Sequence, residues 1–284
     1  MPDFTWEEAV QWLREQPGQE FLVAACYFDD PLLEAAERFA KSEEWRASAQ
    51  LMPEQPGRAL DLGAGRGIAS YALARDGWTV TALEADPSSL VGAGAIRQLS
   101  ADSGLKIDVV EERFEDLPFQ DETFDMVYAR QALHHARRLT DLCNEVFRVL
   151  KPGGRFIAVR EHVISRPEDL QDFLKTHPLH HLYGGEHAYL LDEYMAAMRG
   201  AGLEIKQVWG PFDSVINYFP AKRKDLVALL RSRMEPRIGS MAARLLVRDW
   251  YPFGSCLVNA GLARLGRRDQ TPGRLFSFVS VRPA

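Results

Sequence analysis

Hydrophobic residues recur at helical intervals through the first part of the chain. In TWEEAVQWLRE, Thr5 precedes the apolar repeat and Glu8 follows three residues later, which is the pattern of a capping box. DDPLLEAAERFAKSEEWRASAQLM then starts at an Asp-Pro pair and repeats apolar residues every three or four positions. We therefore predict that residues 5–52 are helical and that PEQPGR is the linker that follows.

The pattern changes after this linker to short runs rich in β-branched and aromatic residues. Helical segments separate most of these runs, and glycine-containing turns such as PGG at 152–154 precede several of them. Strands that alternate with helices predict a parallel sheet with right-handed crossovers, so the predicted fold class is α/β. The predicted strands are RALDL (58–62), TVTALEA (79–85), KIDVVEE (106–112), FDMVYA (124–129) and RFIAVRE (155–161).

The last third of the chain adds a helix over 190–202, a strand over 203–210 and a final strand. Because a long helical insertion leads to this final strand, we expect it to pair antiparallel near the edge of the sheet. The predicted units are an N-terminal helical lid (1–56), a ligand-binding domain (57–210) that includes a His-rich loop (162–189), a helical insertion (211–272) and the final strand (273–284).

The composition is that of an ordinary globular protein, with 46% hydrophobic and 26% charged residues among 284. No apolar run is long enough to cross a membrane, and the N-terminus is acidic, so we expect a cytoplasmic protein without a membrane partner. The three cysteines, Cys26, Cys143 and Cys256, are widely separated, which indicates isolated buried thiols.

The net charge of −6 is unevenly distributed, because residues 221–284 carry 13 Lys and Arg against four Asp and Glu. Such a segment suits an anionic substrate, RNA or a membrane surface. The basic residues alternate with long apolar runs, however, which favours solvated helix faces. We therefore do not expect nucleic acid as a partner.

The segment LDLGAGRG places glycines at 63, 65 and 67 between the first strand and the next helix. Glycine permits positive φ and close approach of a ligand, and ligands of open α/β sheets bind at the carboxyl ends of strands. Glu84 ends the second strand, where a carboxylate can accept both ribose hydroxyls. With Asp61 ahead of a GxGxG turn, a ligand with a cationic amino group fits better than a diphosphate, although NAD remains an alternative.

Four successive segments carry a family resemblance: LDLGAGRG, VTALEADPSSL, FEDLPFQDETFDMVYARQALHH and EVFRVLKPGGRF. They resemble the signature segments of class I S-adenosylmethionine-dependent methyltransferases, in particular the ubiquinone- and menaquinone-biosynthesis group. The resemblance covers residues 57–161, with weaker continuation to 210 and at the final strand. It implies a Rossmann-like seven-stranded sheet with an antiparallel last strand, S-adenosyl-L-methionine as cofactor and transfer of a methyl group to a small-molecule acceptor.

The resemblance also implies which residues bind the cofactor. The glycine turn would border the methionine moiety with Asp61 near its amino group, while Glu84 would bind the ribose. Relatives have an acidic residue where this chain has Arg113, so we assign adenine recognition to Phe114, with Glu115 as a further acceptor. The predicted cofactor residues are Tyr27 as a lid contact, Asp61, Gly63, Ala64, Gly65, Glu84, Ala85, Phe114, Glu115, Ala129 and Arg130.

All seven histidines fall between residues 134 and 187, beside the expected methyl-acceptor region. A base with a pKa near neutrality suits an OH or NH acceptor, and histidine supplies one. THPLHHLYGGEHAY (176–189) is open to three interpretations: a lid that supplies a base, a metal site or a capped polar loop. The adjacent His180 and His181 seldom both face one metal, and no HxxxH pair on a helix is visible, so we predict no metal ligands. The candidate bases, in order, are His187, His181 and His135.

Two alternatives to small-molecule methyl transfer stay open. One is an RNA methyltransferase that uses the basic C-terminal segment, and the other is a protein that binds S-adenosylmethionine without methyltransferase activity. The insertion at 211–272 would form either the far wall of the acceptor pocket or a contact between two copies of the chain in a homodimer.

Overall fold

Four short helices form the N-terminal segment of the computed structural model, which describes residues 4–114, 116–176, 179–180, 182–184, 186–241, 243, 247 and 253–284. They are α1 (Trp6–Glu15), α2 (Glu20–Ala25), α3 (Leu32–Ala40) and α4 (Glu43–Ala49). The capping box predicted for Thr5 and Glu8 is confirmed at the start of α1. The apolar repeat over 32–49 is split into two helices because the Ser42 side chain accepts a hydrogen bond from the Trp45 N–H and starts α4.

The strands form a sheet in the order β3-β2-β1-β4-β5-β8-β7, and a two-residue strand, β6, pairs with β5 off this path. β1 to β5 pair parallel, whereas β8 is antiparallel to both β5 and β7. The predicted α/β class and antiparallel final strand are therefore confirmed, with β8 one position in from the edge. The strands are β1 (Arg58–Leu62), β2 (Thr79–Leu83), β3 (Ile107–Val110), β4 (Phe124–Arg130), β5 (Leu150–Ile164), β6 (Tyr189–Leu190), β7 (Glu204–Trp209) and β8 (Arg274–Val281).

Helices cover both faces of the sheet and bury two apolar clusters. One cluster packs Phe39 and Trp45 of the N-terminal helices against Tyr128 of β4. The other packs Leu142 of the helix before β5 against Val127 of β4. Both faces of β4 are thus buried, as expected for a central parallel strand. The remaining helices are α5 (Ile68–Arg75), α6 (Ala93–Ser103), α7 (Leu139–Val149), α8 (Leu170–Thr176), α9 (Leu191–Gly200), α10 (Val215–Tyr218), α11 (Arg223–Ile238) and α12 (Phe253–Arg268).

Strand β5 begins five residues earlier than the predicted start at 155, because Leu150 already pairs with Phe124 of β4. The register then shifts, and Gly153 adopts a φ of +78°. The KPGG segment predicted as a turn is therefore a bulge within a long strand. Of the helices described, none combines the length and apolar composition needed to cross a bilayer.

Candidate functional site

The glycine turn after β1 lies at the carboxyl end of the parallel strands. Gly63, Gly65 and Gly67 all have positive φ, at +69°, +53° and +82°. A Cβ atom on Gly63 would lie 2.7 Å from the Cβ of Ala132 and 3.2 Å from the Phe114 ring. The turn therefore needs glycine for its backbone shape and for its close approach to the segments after β3 and β4.

Two carboxylates flank this turn. Glu84 accepts hydrogen bonds from the N–H of Gly65 at 2.8 Å and from the N–H of Asp86 at 2.9 Å. Asp61 is buried in β1 and accepts a 2.5 Å hydrogen bond from the Ser70 hydroxyl. Burial raises the pKa of Asp61 to about 6, against the effect of Ser70 and with a contribution from the negative charge of Glu84. A buried carboxylate held in this way favours a cationic partner.

The predicted role of Asp61 beside the ammonium group of the cofactor has a testable consequence, namely a cofactor affinity that depends on pH. An ammonium group attracts only the ionised carboxylate, and Asp61 is increasingly protonated below its pKa of about 6. The Kd of S-adenosylmethionine is therefore expected to rise by up to about tenfold for each pH unit below 6. Calorimetry from pH 5 to 7.5 measures this dependence. Asp61→Asn should bind weakly with a flat pH profile, exposed Asp108→Asn should behave as the wild type, and a flat wild-type profile would refute this role for Asp61.

A buried cluster of charges joins the sheet to the N-terminal helices. Glu44 of α4 is fully buried and accepts hydrogen bonds from Arg130 Nε at 2.6 Å and Nη2 at 3.2 Å. Arg160 Nη1 lies 3.7 Å from the same carboxylate and donates to the Ile216 carbonyl at 2.6 Å. The Arg130 guanidinium also lies 5.6 Å from the centroid of the Tyr27 ring. Arg130 and Tyr27, both predicted as cofactor residues, are thus adjacent.

Three residues beside this cluster hold strained backbone conformations. Tyr27, Gln131 and Arg160 have φ values of +59°, +52° and +62°. Such values are uncommon outside glycine, and they concentrate at functional sites whose surroundings hold them in place. All three lie next to or within the Glu44 cluster, which favours a functional site at the end of β4.

Arg66, which stands between Gly65 and Gly67, links the glycine turn to the N-terminal helices. Its Nη1 donates to the carbonyls of Tyr27 at 2.8 Å and Asp29 at 3.0 Å, and its Nη2 pairs with Asp30 at 2.5 Å. The side chain is buried. The glycine turn and the segment over 27–30 are therefore held together without any ligand.

A second charged cluster surrounds His134, which lies in a 3₁₀ turn after β4. Glu161 of β5 accepts hydrogen bonds from the main-chain N–H groups of Ala132, Leu133 and His134, at 3.0 to 3.2 Å. Its carboxylate also lies 2.9 Å from His134 Nδ1. Glu186 lies 3.4 Å from His134 Nε2. Burial alone would lower the pKa of His134, but the two carboxylates outweigh it and raise the pKa to about 9. The two carboxylates therefore favour the charged form of His134.

The candidate bases differ in their surroundings. His135 stacks on His134 with ring centroids 4.2 Å apart, and its Nε2 lies 4.0 Å from Glu186. His187 packs on Tyr189 with centroids 4.3 Å apart, and burial lowers its pKa below the ordinary value. His181 lies outside the described residues, as does Glu115.

The other predicted cofactor residues differ in how far they are buried. Ala64 is buried, and its N–H donates to the Leu83 carbonyl at 3.0 Å. Ala85 is exposed at the end of β2, where a flat ligand can pack on it. Ala129 lies wholly inside the apolar core of β4, so its side chain faces no ligand-binding surface. Phe114 is partly buried beside the glycine turn.

Sequence reasoning missed several residues of the site, namely Arg66, Ser70, Arg160 and Glu161. Arg160 and Glu161 had a usable signal, because two charged residues interrupt the otherwise apolar strand sequence RFIAVREHVI. Charged residues in a strand buried on both faces need buried partners. Ser70 had no such signal, because serine is common in helices and its partner, Asp61, is nine residues earlier.

Comparison with known proteins defines the class to which this site belongs. Residues 60–158 match the family described as "Methyltransferase domain". The glycine turn and strands β2, β3 and β4 lie within this match, whereas the antiparallel strand β8 lies after it. Residues 60–158 are therefore a methyltransferase domain, which supports the predicted class of S-adenosylmethionine-dependent methyltransferases and S-adenosylmethionine as the cofactor.

The curated proteins similar to the chain include two methyltransferases that match part of it. Methyltransferase phqN of Penicillium fellutanum is 35% identical over 159 residues, covering 52% of this chain and 46% of that protein. Dimethylglycine N-methyltransferase of Parasynechococcus marenigrum (strain WH8102) is 40% identical over 105 residues, covering 36% of this chain and 37% of that protein. The chain thus spans less than half the length of these curated relatives.

The solved structures extend the similarity in fold over nearly the whole chain. Geranyl diphosphate C-methyltransferase from Streptomyces coelicolor A3(2) matches with a TM-score of 0.58 and 14% identity, covering 99% of this chain and 100% of that one. The [4+2]-cyclase SpnF matches with a TM-score of 0.56 and 20% identity, covering 88% of this chain and 81% of that one. At these identities the similarity establishes the fold alone.

Proposed function

We propose that this chain transfers the methyl group of S-adenosylmethionine to a small-molecule acceptor by direct displacement. One observation carries the proposal: the turn that bears His134 and His135 abuts the glycine turn through Ala132. A Cβ on Gly63 would lie only 2.7 Å from the Ala132 side chain. A cofactor on the glycine turn would therefore have histidines close to its reactive end.

The cofactor would lie along the carboxyl ends of β1, β2 and β4. Asp61 would attract its ammonium group, Gly63 and Gly65 would border its methionine chain, and Glu84 would accept hydrogen bonds from its ribose hydroxyls. Exposed Ala85 and the Phe114 ring would flank the adenine. This arrangement places a positive group of the ligand beside a buried carboxylate, which is favourable in a low dielectric.

Methyl transfer from a sulfonium removes positive charge from sulfur as the new bond forms. The protein therefore has to align the acceptor with the methyl group and accept a proton where the acceptor carries one. His187 suits that second task, because burial lowers its pKa and leaves the imidazole neutral at pH 7. His135 is the next candidate, and His181 stays a prediction from the sequence.

Acceptor specificity would come from segments outside the matched domain: the N-terminal helices, residues 162–189 and the insertion at 211–272. The names of similar proteins support this division, since they include a dimethylglycine N-methyltransferase and a geranyl diphosphate C-methyltransferase. A shared cofactor site with different acceptors is typical of a fold whose variable segments determine specificity.

The role of His187 has a measurable consequence. His187→Ala is expected to lower kcat for an OH or NH acceptor by about 10²- to 10⁴-fold, because a positioned base contributes that much. The Kd of S-adenosylmethionine should stay unchanged, and added imidazole should restore part of the activity. An unchanged kcat would exclude His187 as the base, and the same measurement on His135→Ala would follow.

The proposed function is tested by incubating the purified chain with S-adenosylmethionine labelled in its methyl group. Acceptors are offered in four groups, by reacting atom: oxygen, nitrogen, sulfur and carbon. Release of S-adenosylhomocysteine together with label in a small acceptor is the expected result. The Glu84→Ala variant serves as the control for cofactor-dependent transfer.

Two other outcomes would favour the alternatives. Label in RNA that falls steeply with salt would indicate an RNA methyltransferase, because phosphate contacts weaken with ionic strength. Tight cofactor binding without S-adenosylhomocysteine release across all acceptors would indicate a protein that binds the cofactor for another purpose. The fold is shared with a protein described as a [4+2]-cyclase, so the fold by itself does not decide between these outcomes.

A further inference from the structure

The cluster around His134 brings together two segments that are distant in the sequence. His134 and His135 end the segment after β4, whereas Glu186 belongs to the His-rich segment before β6. One ligand atom from each of the three side chains lies within 4.8 Å of the other two. The fold therefore joins one acidic residue of the His-rich segment to a histidine pair that lies outside it.

Glu186 presents a buried carboxylate oxygen, Oε2, whose charged neighbour among the described residues is His134. Its side chain is only 7% exposed, and Oε2 is buried without a hydrogen bond from any residue that the structure describes. This oxygen faces His134 Nε2 at 3.4 Å. The other oxygen, Oε1, accepts a hydrogen bond from the Tyr183 hydroxyl and lies 4.0 Å from His135 Nε2. The charged form of His134 reaches this oxygen only at 3.4 Å, and a metal ion that displaces the Nε2 proton of His134 would bind both atoms directly.

Groups behind the cluster orient its members as metal ligands require. Glu161 contacts Nδ1 of His134, so the opposite ring nitrogen, Nε2, points toward Glu186. Tyr183 fixes the carboxylate of Glu186 in the same way. Carboxylates behind ligating histidines and hydrogen bonds to ligating carboxylates are the usual supports of metal centres.

We propose that His134, His135 and Glu186 bind one divalent transition-metal ion, with Zn²⁺ the ion that their chemistry fits best. Two imidazole nitrogens and one carboxylate oxygen form a borderline-soft ligand set, which suits Zn²⁺ better than Mg²⁺ or Ca²⁺. Three protein ligands leave a fourth position open. His135 gives the cluster access to solvent, since its side chain is 35% exposed whereas that of His134 is 2% exposed.

The distances allow such a site after a small adjustment. Zn–N and Zn–O bonds of about 2.0–2.2 Å put neighbouring ligand atoms about 3.3–3.5 Å apart in a tetrahedron. The pair formed by His134 and Glu186, at 3.4 Å, already meets this spacing. His135 has to move by about 1 Å, and its partly exposed side chain is the one with room to do so.

Metal content measured without any methyl acceptor tests the site separately from the proposed function. The chain is prepared without an affinity tag and with Cys256→Ser, because Cys256 is an exposed free thiol and thiolates are zinc ligands. It is dialysed against chelator, titrated with Zn²⁺ by calorimetry and analysed by elemental mass spectrometry. Co²⁺ replaces Zn²⁺ in a second titration, because its visible spectrum reports the ligands and geometry.

We expect one Zn²⁺ per chain and a Co²⁺ spectrum of a four-coordinate nitrogen and oxygen site. Glu186→Gln and His135→Ala should each weaken Zn²⁺ binding by at least about 100-fold. Glu193→Gln, a nearby surface carboxylate, should leave binding unchanged. If Glu186→Gln fails to fold, the more exposed His135→Ala decides the question. Absence of Zn²⁺ binding in the parent chain, or binding that persists in His135→Ala, would overturn the proposal.

Discussion

Glu84→Ala is expected to weaken S-adenosylmethionine binding by about 10²- to 10³-fold. The carboxylate can accept hydrogen bonds from both ribose hydroxyls, and each hydrogen bond to a charged group contributes about 1.5–3 kcal/mol. Glu84 also accepts the N–H of Gly65 at 2.8 Å, so its loss removes a support of the glycine turn itself. Isothermal titration calorimetry with S-adenosylmethionine and S-adenosylhomocysteine measures the effect.

A matched control is available at the end of the neighbouring strand. Glu111 follows β3, is exposed and pairs with Arg97 at the surface, so Glu111→Ala should leave the Kd unchanged. Thermal melting of both variants without cofactor separates loss of the ribose contacts from general unfolding. Glu84→Ala with near wild-type affinity would show that the ribose is bound elsewhere, and the cofactor assignment would need revision.

The second large effect is expected from Glu44→Ala, which should lower the free energy of unfolding by about 3–5 kcal/mol. Burial opposes ionisation of Glu44, yet the charges of Arg130 and Arg160 outweigh it and lower its pKa. Alanine would leave two buried guanidinium groups without their common carboxylate. Removing one partner of a buried ion pair is costly, because the remaining charge stays desolvated. Urea denaturation followed by circular dichroism measures the loss.

The preceding residue supplies the control for this prediction. Glu43 begins α4 and is exposed, so Glu43→Ala should change stability by only about 0.5 kcal/mol. Glu44→Gln keeps a hydrogen-bond acceptor at the same place and should fall between wild type and Glu44→Ala. A loss below about 1 kcal/mol for Glu44→Ala would mean that the arginines reach water when the carboxylate is absent.

The fold could be predicted from the sequence because the patterns that determine it are local. The alternation of short apolar runs with helical segments predicted the parallel sheet, and RALDL is the observed span of β1. Asp61 and Glu84 could be picked out because each stands where its strand ends and faces the same edge of the sheet. Turn chemistry and strand periodicity are determined within a few residues, which makes them readable from sequence.

The charged clusters were not accessible in this way. Glu44 contacts Arg130 across 86 positions of sequence, and His134 contacts Glu161 across 27. No local sequence pattern specifies which buried charged residues form ion pairs with each other, because the pairing results from the packing of whole helices and strands. The same reason explains why Glu186 could be noticed as a polar residue but could not be assigned to the histidines after β4.

The partners of the buried arginines indicate which residues have to be present for the matched domain to fold. The matched family domain covers residues 60–158, but the partners of two of its buried arginines lie outside it. Arg66 donates hydrogen bonds to residues 27–30, and Arg130 pairs with Glu44. A fragment cut at the family boundary would keep these guanidinium groups and lose the groups that satisfy them. We therefore expect the N-terminal helices to belong to the same folding unit as residues 60–158, and a fragment trimmed to the family match to be unstable.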